Sequence, residues 1–286
     1  MSLPNIQAFQ TNIPLLENYL KTLKNGTEIQ VSYLPRFNEI IFGFERKKLI
    51  VVGSRPSEGK STFCLQMAYE LSLKFKVLYI SLEMTREEAM FRLMCYVSRI
   101  ENVGFYRQSV SSAGPLDELR EGIKDRTLIV SEEIGRTWEE VENILFELRS
   151  DPPDIIFLDY IQCIQTNGKK LEAIEDYIKR FRKMAIDSNF CLFICSQINR
   201  QNISETKEPT MEGLKNTGFL EEHADKVILL YYPCKRTPNT DKDKFKIIVA
   251  KNKNGMTAFL DCKITPSIYK IYEEKEQNDN LYAPGT

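Results

Sequence analysis

The chain has 286 residues, enough for one large domain or two small ones. Hydrophobic residues make up 42% and charged residues 28%, a globular balance that excludes a largely disordered chain. Lysine and arginine number 39 against 40 aspartate and glutamate, a net charge of −1. That excludes a surface coated all over in nucleic acid, but not a protein that threads a strand through one local channel.

No apolar run approaches the roughly 18–20 residues that cross a bilayer, so no membrane partner is expected. The start, Met1 to Gln10, lacks the basic-then-apolar order of a secretory leader. The seven cysteines (64, 95, 163, 191, 195, 234 and 262) follow no disulfide or zinc spacing. Most lie in apolar segments and read as reduced core thiols of a cytoplasmic protein. Cys191 and Cys195 flank an apolar strand and read as packing rather than as a metal pair. A single histidine, His223, excludes a His-rich metal site and reads as surface chemistry.

Residues 1–40 form an N-terminal arm. Ile13, Leu16, Leu20 and Leu23 recur at spacings of three and four, one apolar stripe on a helix of about 14 residues. A helix that short is marginal alone, so its stripe must pack on this domain or on a neighbouring subunit. From 41 to 272, β-rich runs alternate with helical ones. The pattern predicts strands over 49–53, 77–81, 127–131, 155–159 and 191–196, with helices over 60–73, 87–99, 116–124, 138–148 and 172–186. Trp138 reads as helix packing. Continuously apolar strands separated by helices predict an α/β fold, a mostly parallel sheet covered on both faces.

A polar, aperiodic stretch over 199–209 reads as a loop. Strands over 227–231, 245–250, 256–262 and 268–272 then follow without helices, and Asn252-Lys253-Asn254-Gly255 is a hairpin signal. The sheet is therefore expected to turn antiparallel at its C-terminal side. Residues 273–286 are polar and read as a frayed tail.

The strongest chemical signal is Gly53-Ser54-Arg55-Pro56-Ser57-Glu58-Gly59-Lys60-Ser61-Thr62, between a predicted strand and a predicted helix. That is the context of a P-loop. Backbone N–H groups and the positive helix end face a phosphate there. Gly59 allows close backbone approach, Lys60 sets an ammonium against the β/γ oxygens, and Ser61 offers a hydroxyl to Mg²⁺. The usual first glycine of the pattern is Ser54 here. Asp159 ends an apolar strand and suits the magnesium-linked acid. Glu83 follows the 77–81 strand and is placed for a general base, because parallel strands end at one crevice. Gln197 ends the 191–196 strand and offers an amide to a γ-phosphate.

The segments 54–62, 81–84, 158–162 and 196–200 (Ser-Gln-Ile-Asn-Arg), in this order, resemble the helicase domain of DnaB-type replicative helicases. Leu214-Lys215-Asn216-Thr217-Gly218 with Ala224-Asp225 looks like that family's single-strand-binding loop region, and Lys251-Asn252-Lys253-Asn254-Gly255 like its trans-acting hairpin. The resemblance runs from about Tyr33 to Tyr272. It implies a RecA-like fold and a homohexameric ring with ATP sites between subunits. Lys60 and Ser61 would hold Mg-ATP, Glu83 would be the base, Asp159 the metal-linked acid and Gln197 the γ-phosphate sensor. Lys251 and Lys253 would reach a neighbour's site, and Lys215, Asn216 and Gly218 would hold phosphates of single-stranded DNA without reading bases. The helix at 13–23 would be the linker that docks on the adjacent subunit.

Three departures stand out. Lys253 replaces the usual finger arginine, a point charge in place of a planar fork. Lys215-Asn216 replaces a common Arg-Glu pair. The family's N-terminal collar has no counterpart in these residues, so contact with a primase or loader is not implied through it. The stretch 235–253 carries seven Lys/Arg and two Asp, net +5, and reads either as interface charge or as a solvated hairpin. Two other readings of the chain stay open: an ATP-binding regulator or assembly module that does not unwind, and a recombinase-like ATPase that coats single strands.

Overall fold

A computed structural model describes residues 13–24, 29–165, 170–198, 208–237 and 240–274. In chain order the elements are α1 (Ile13–Lys24), α2 (Pro35–Ile41), β1 (Leu49–Ser54), α3 (Lys60–Leu71), β2 (Val77–Ser81), α4 (Arg86–Ser98), α5 (Asn102–Tyr106), α6 (Ala113–Ile123) and β3 (Leu128–Glu132). Then come α7 (Trp138–Glu147), β4 (Ile155–Asp159), α8 (Lys170–Asp187), β5 (Cys191–Gln197), α9 (Gly218–His223), β6 (Lys226–Tyr231), β7 (Lys244–Asn252), β8 (Ala258–Thr265) and β9 (Lys270–Tyr272). The strands form one sheet in the order β3-β2-β4-β5-β1-β6-β7-β8-β9. The first six of these run parallel and the last three antiparallel, as the sequence pattern predicts.

Two apolar layers hold the sheet. Alternate residues of each central strand face opposite sides. Ile50 and Val52 of β1, with Tyr79, Phe157 and Phe193, pack beneath α2, α3 and α4. Leu49 and Val51, with Ile156 and Leu192, pack beneath α7, α8 and α9. Trp138 is fully buried in the second layer, stacked on Tyr177 at 4.5 Å, so it is helix packing. Capping boxes, Thr85 with Glu88 and Thr137 with Glu140, fix the starts of α4 and α7. β3 is an edge strand and only partly buried, which explains its weaker apolar pattern.

The sequence boundary of the arm at residue 40 cuts through packed structure. Ile29, Val31, Leu34, Phe37 and Ile41 are fully buried in the first layer, so the packed unit begins at Ile29. Helix α2 escapes a periodicity search because it has only seven residues, opened by Pro35. The five-residue α5 is missed for the same reason. The tail is not frayed at its start: Glu273 accepts hydrogen bonds from the Arg36 and Phe37 N–H groups at 3.1 and 3.0 Å, a carboxylate at the start of α2. The expected loop over 199–209 falls mostly outside the described residues.

Lys226 opens β6, is 2% exposed, and donates to the Ile41 and Gly43 carbonyls at 2.7 Å each. It closes the end of α2 on the sheet. Lys226→Met should leave both carbonyls without a donor and lower unfolding free energy by about 2–4 kcal/mol, read by urea denaturation. An unchanged midpoint would remove the lysine from the account of how residues 29–44 are held.

Candidate active site

Parallel pairing brings the carboxyl ends of the central strands to one level. Ser54 pairs with Gln197, and Ser81 with Asp159. The 54–62 turn leaves β1 at that level and feeds α3. Gly53 sits close against its neighbours: a Cβ there would lie 2.9 Å from a Leu229 methyl, which would have to shift. Gly59 has φ +87°, which a side chain would strain. Ser54, by contrast, is still extended β1 backbone, and its buried hydroxyl turns onto the Arg55 carbonyl at 2.9 Å. A serine therefore fits where the pattern's first glycine is usual.

Lys60 is the first residue of α3 and Asp159 the last of β4. The Lys60 Nζ donates to Asp159 Oδ1 at 2.5 Å, with the two side chains 9% and 1% exposed. The ammonium also lies 4.2 Å from the Tyr160 ring centroid. Tyr79 donates its phenol to Asp159 Oδ2 at 2.6 Å. Burial by itself would raise the Asp159 pKa, but the Lys60 charge and hydrogen bonds from Lys60, Ser61 and Tyr79 outweigh it and hold the carboxyl below its ordinary value. Lys60 is raised despite burial, because Asp159 favours its charged form. Burial, then the Asp159 charge, keeps the Tyr79 phenol protonated.

A cleft of about 590 Å³ opens beside this pair. The turn forms its floor, including Ser54, Arg55, Pro56, Ser57, Gly59, Lys60, Ser61 and Thr62, and both Glu83 and Gln197 line it. Glu83 lies two residues past β2 and is exposed. Gln197 is also exposed, and its backbone is latched to the β4 side: Gln162 accepts from the Gln197 N–H at 3.1 Å and donates to Ser196 Oγ at 2.8 Å. Met84, Arg92, Tyr232 and Tyr269 complete the walls, with the Arg92 guanidinium 5.2 Å from the Tyr269 ring centroid.

Glu58 departs from its expected place on the phosphate side. It is fully buried behind the turn, where its Oε1 accepts from Arg236 Nε at 3.1 Å and lies 3.7 Å from Arg55. Arg236 also donates to the Pro56 carbonyl at 3.4 Å. Burial raises the Glu58 carboxyl, and the two arginines pull against that.

The basic stretch over 235–253 is likewise less free than its charge suggests. Arg236 turns inward, Lys246 pairs with Glu208 and Asp261, and Lys253 pairs with Asp225 at 3.1 Å. Lys251 donates to the Glu221 carbonyl at 2.6 Å, capping α9. Lys251 and Lys253 lie at the amino end of β6, across the sheet from this chain's own cleft. Lys215 and Asn216 lie in a 3-10 turn over Met211–Thr217 that runs into α9, which Gly218 opens, so that region is helical rather than an open loop. The side chains of 215–218 lie outside the described residues.

The donor set beside the cleft, the Ser61 hydroxyl and the Asp159 carboxylate, consists of hard oxygens suited to Mg²⁺ completed by phosphate and water. Tyr79, Arg92, Arg236 and Tyr269 belong to the site but to none of the motifs that mark it in the sequence, while Gln162 ends the 158–162 segment, where the sequence assigns it no role. Tyr79 reads as an ordinary strand aromatic. Its one signal is the spacing of two from Ser81, which puts it on the face that carries the site.

Residues 31–273 match the family described as the DnaB-like helicase C terminal domain, and the chain belongs to that family. It is 26% identical over 255 residues to the replicative DNA helicase DnaC of Bacillus subtilis (strain 168) and, over the same length, to DnaB of Geobacillus stearothermophilus, covering 85% of this chain and 56% of each of those proteins. The chain thus spans about half the length of the curated relatives it matches. Among solved structures, one described as an ATPase domain superposes with a TM-score of 0.84 at 20% identity, over 95% of this chain and 100% of that one. A DnaB-like replicative helicase described with its interactions with primase gives 0.82 at 20% identity, over 95% and 68%. The fold is that of DnaB-like, RecA-type ATPase domains.

A lowered carboxyl stabilises the fold fully above its ordinary pKa of 3.8, and that contribution is lost as pH falls through the lowered value. Asp159→Asn, which strands Lys60, should cost about 3 kcal/mol at neutral pH. The gap between wild type and variant, from denaturation at successive pH values, should stay level down to the ordinary carboxylate range and close in stronger acid. A gap independent of pH would show that some other group holds Lys60.

Proposed function

We propose that this chain is the motor part of a replicative-type DNA helicase, which hydrolyses ATP between identical subunits and moves on single-stranded DNA. The observation that carries this reading is the buried Lys60–Asp159 pair beside a phosphate turn, in a chain of the DnaB-like family. Lys60 exchanges Asp159 for the nucleotide's phosphates, joined by the backbone N–H groups of the turn. Ser61 and Asp159 would hold Mg²⁺, which would supply neutralising charge to the nucleotide's phosphates. Glu83, exposed at the cleft, takes the proton of the attacking water. Gln197, latched through Gln162, reads the γ-phosphate from the end of β5. The Arg92–Tyr269 pair offers a planar surface for the base.

Assembly completes the site. In α1, Ile13, Leu16 and Leu20 are 42%, 48% and 46% exposed, an apolar stripe that docks on a neighbouring copy. Lys251 and Lys253, away from their own cleft, face the neighbour's in a hexameric ring. Lys215, Asn216 and Gly218 hold the phosphates of the strand. Residues 13–24 serve as the linker, the ATPase unit runs to 272 and a tail follows. The protein works in the cytoplasm, where its seven unpaired cysteines stay reduced. Among the described residues no helix is long and apolar enough to cross a membrane. A primase or loader is a candidate partner of the assembled ring.

ATP turnover with and without single-stranded DNA tests the motor. Turnover should rise with DNA, and Lys60→Ala or Glu83→Gln should lower it by about 100-fold or more. No turnover at concentrations where the protein assembles would leave a nucleotide-binding module, a reading that the engagement of Lys253 by Asp225 favours. Leu16→Glu with Leu20→Glu should shift the mass seen by light scattering towards monomer while nucleotide still binds. Unchanged assembly would remove α1 from the interface.

A further inference from the structure

Asp159 is hydrogen-bonded on both oxygens, by Lys60 on Oδ1 and by Tyr79 on Oδ2, with Ser61 a further donor to the carboxylate. Lys60 reaches Oδ1 from the turn that lines the cleft. Tyr79 reaches Oδ2 from inside the sheet, and its side chain has no exposed surface. Tyr79 and Phe157 are paired across β2 and β4, and their rings stack at 6.2 Å. Phe157 stacks in turn on Phe193 at 4.4 Å. Swinging the phenol away from Asp159 would therefore mean opening a close-packed layer.

The consequence follows from what happens to Lys60. An incoming phosphate competes with Asp159 for the same ammonium. Once Lys60 has transferred, and with Ser61 given to the metal as proposed, the carboxylate has lost its donors on the cleft side and can turn about its terminal torsion, a soft rotation. The Tyr79 hydroxyl, fixed by its stacked ring, still holds Oδ2. We propose that Tyr79 is a positioning residue for the metal-facing acid: its buried phenol pins one Asp159 oxygen so that the other stays aimed at the magnesium side of the cleft when Lys60 leaves. The inference rests on the reading of the cleft as a Mg-ATP site. It assigns to a strand aromatic the orienting task that partners of metal ligands commonly carry.

The test is Tyr79→Phe in the full chain, which keeps the ring and removes only the hydroxyl. Binding of a fluorescent ADP is measured without metal and across a Mg²⁺ titration, alongside ATP turnover and thermal unfolding. Metal-free binding should match wild type. The Mg²⁺ concentration for half-maximal binding should rise by about tenfold, and turnover should recover at high Mg²⁺, a change in metal requirement rather than in kcat. In an Asp159→Asn background the same substitution should add no further shift. That double comparison keeps the test valid if Tyr79→Phe also lowers stability. A Mg²⁺ titration superimposable on wild type, whatever the melting temperature, overturns the inference and leaves Tyr79 as packing. A wild-type chain that binds no nucleotide overturns the reading of the cleft, and this inference with it.

Discussion

The site is organised around one buried ion pair. Two opposite charges, 9% and 1% exposed, lie 2.5 Å apart at the junction of the phosphate turn, α3 and β4. Neither charge is tolerable there alone, because removing one strands the other in a poorly solvated layer. The turn therefore keeps its shape with Asp159 as the counter-charge to Lys60. Tyr79 and Ser61 share the load on the carboxylate, which is why it stays ionised so deep in the sheet.

The second brace of the turn is also ionic and lies behind it. Glu58 reaches Arg236, on the connection between β6 and β7, and Arg236 touches the Pro56 carbonyl. The phosphate turn is thus tied forward to β4 and backward to the start of the antiparallel extension. Phe245 of β7 fills the space where a Cβ on Gly59 would point. The extension is part of the wall that shapes the turn, and its residues are coupled to the cleft through packing and charge together.

At the other end of the sheet, Asp225 plays a comparable part. It accepts from the Leu49 N–H at 3.0 Å and pairs with Arg182 and Lys253. Burial works against its charge, while the Leu49 N–H and the two cations hold its carboxyl below the ordinary range. The start of β1 and the cationic turn after β7 are thereby fixed to each other. The carboxyl end of β1 carries the phosphate turn, so a six-residue strand separates the cleft from the cations proposed to act on a neighbour.

Much of this was legible in the residues. Continuous apolar runs separated by amphipathic ones gave the parallel sheet and its antiparallel extension, because strand burial and helix periodicity are local properties of the chain. The 53–62 segment, Asp159, Glu83 and Gln197 were readable because each sits where a strand ends, and parallel strands end together. Tertiary structure decided the rest. Which oxygen of Asp159 meets Lys60 and which meets Tyr79, that Glu58 faces inward to Arg236, and that residues 29–41 belong to the core all depend on contacts between distant segments. So does Glu273 at the start of α2, 237 residues from Arg36. Sequence pattern records which residues prefer burial or a turn; the partner of a buried charge is chosen only when the layers close around it.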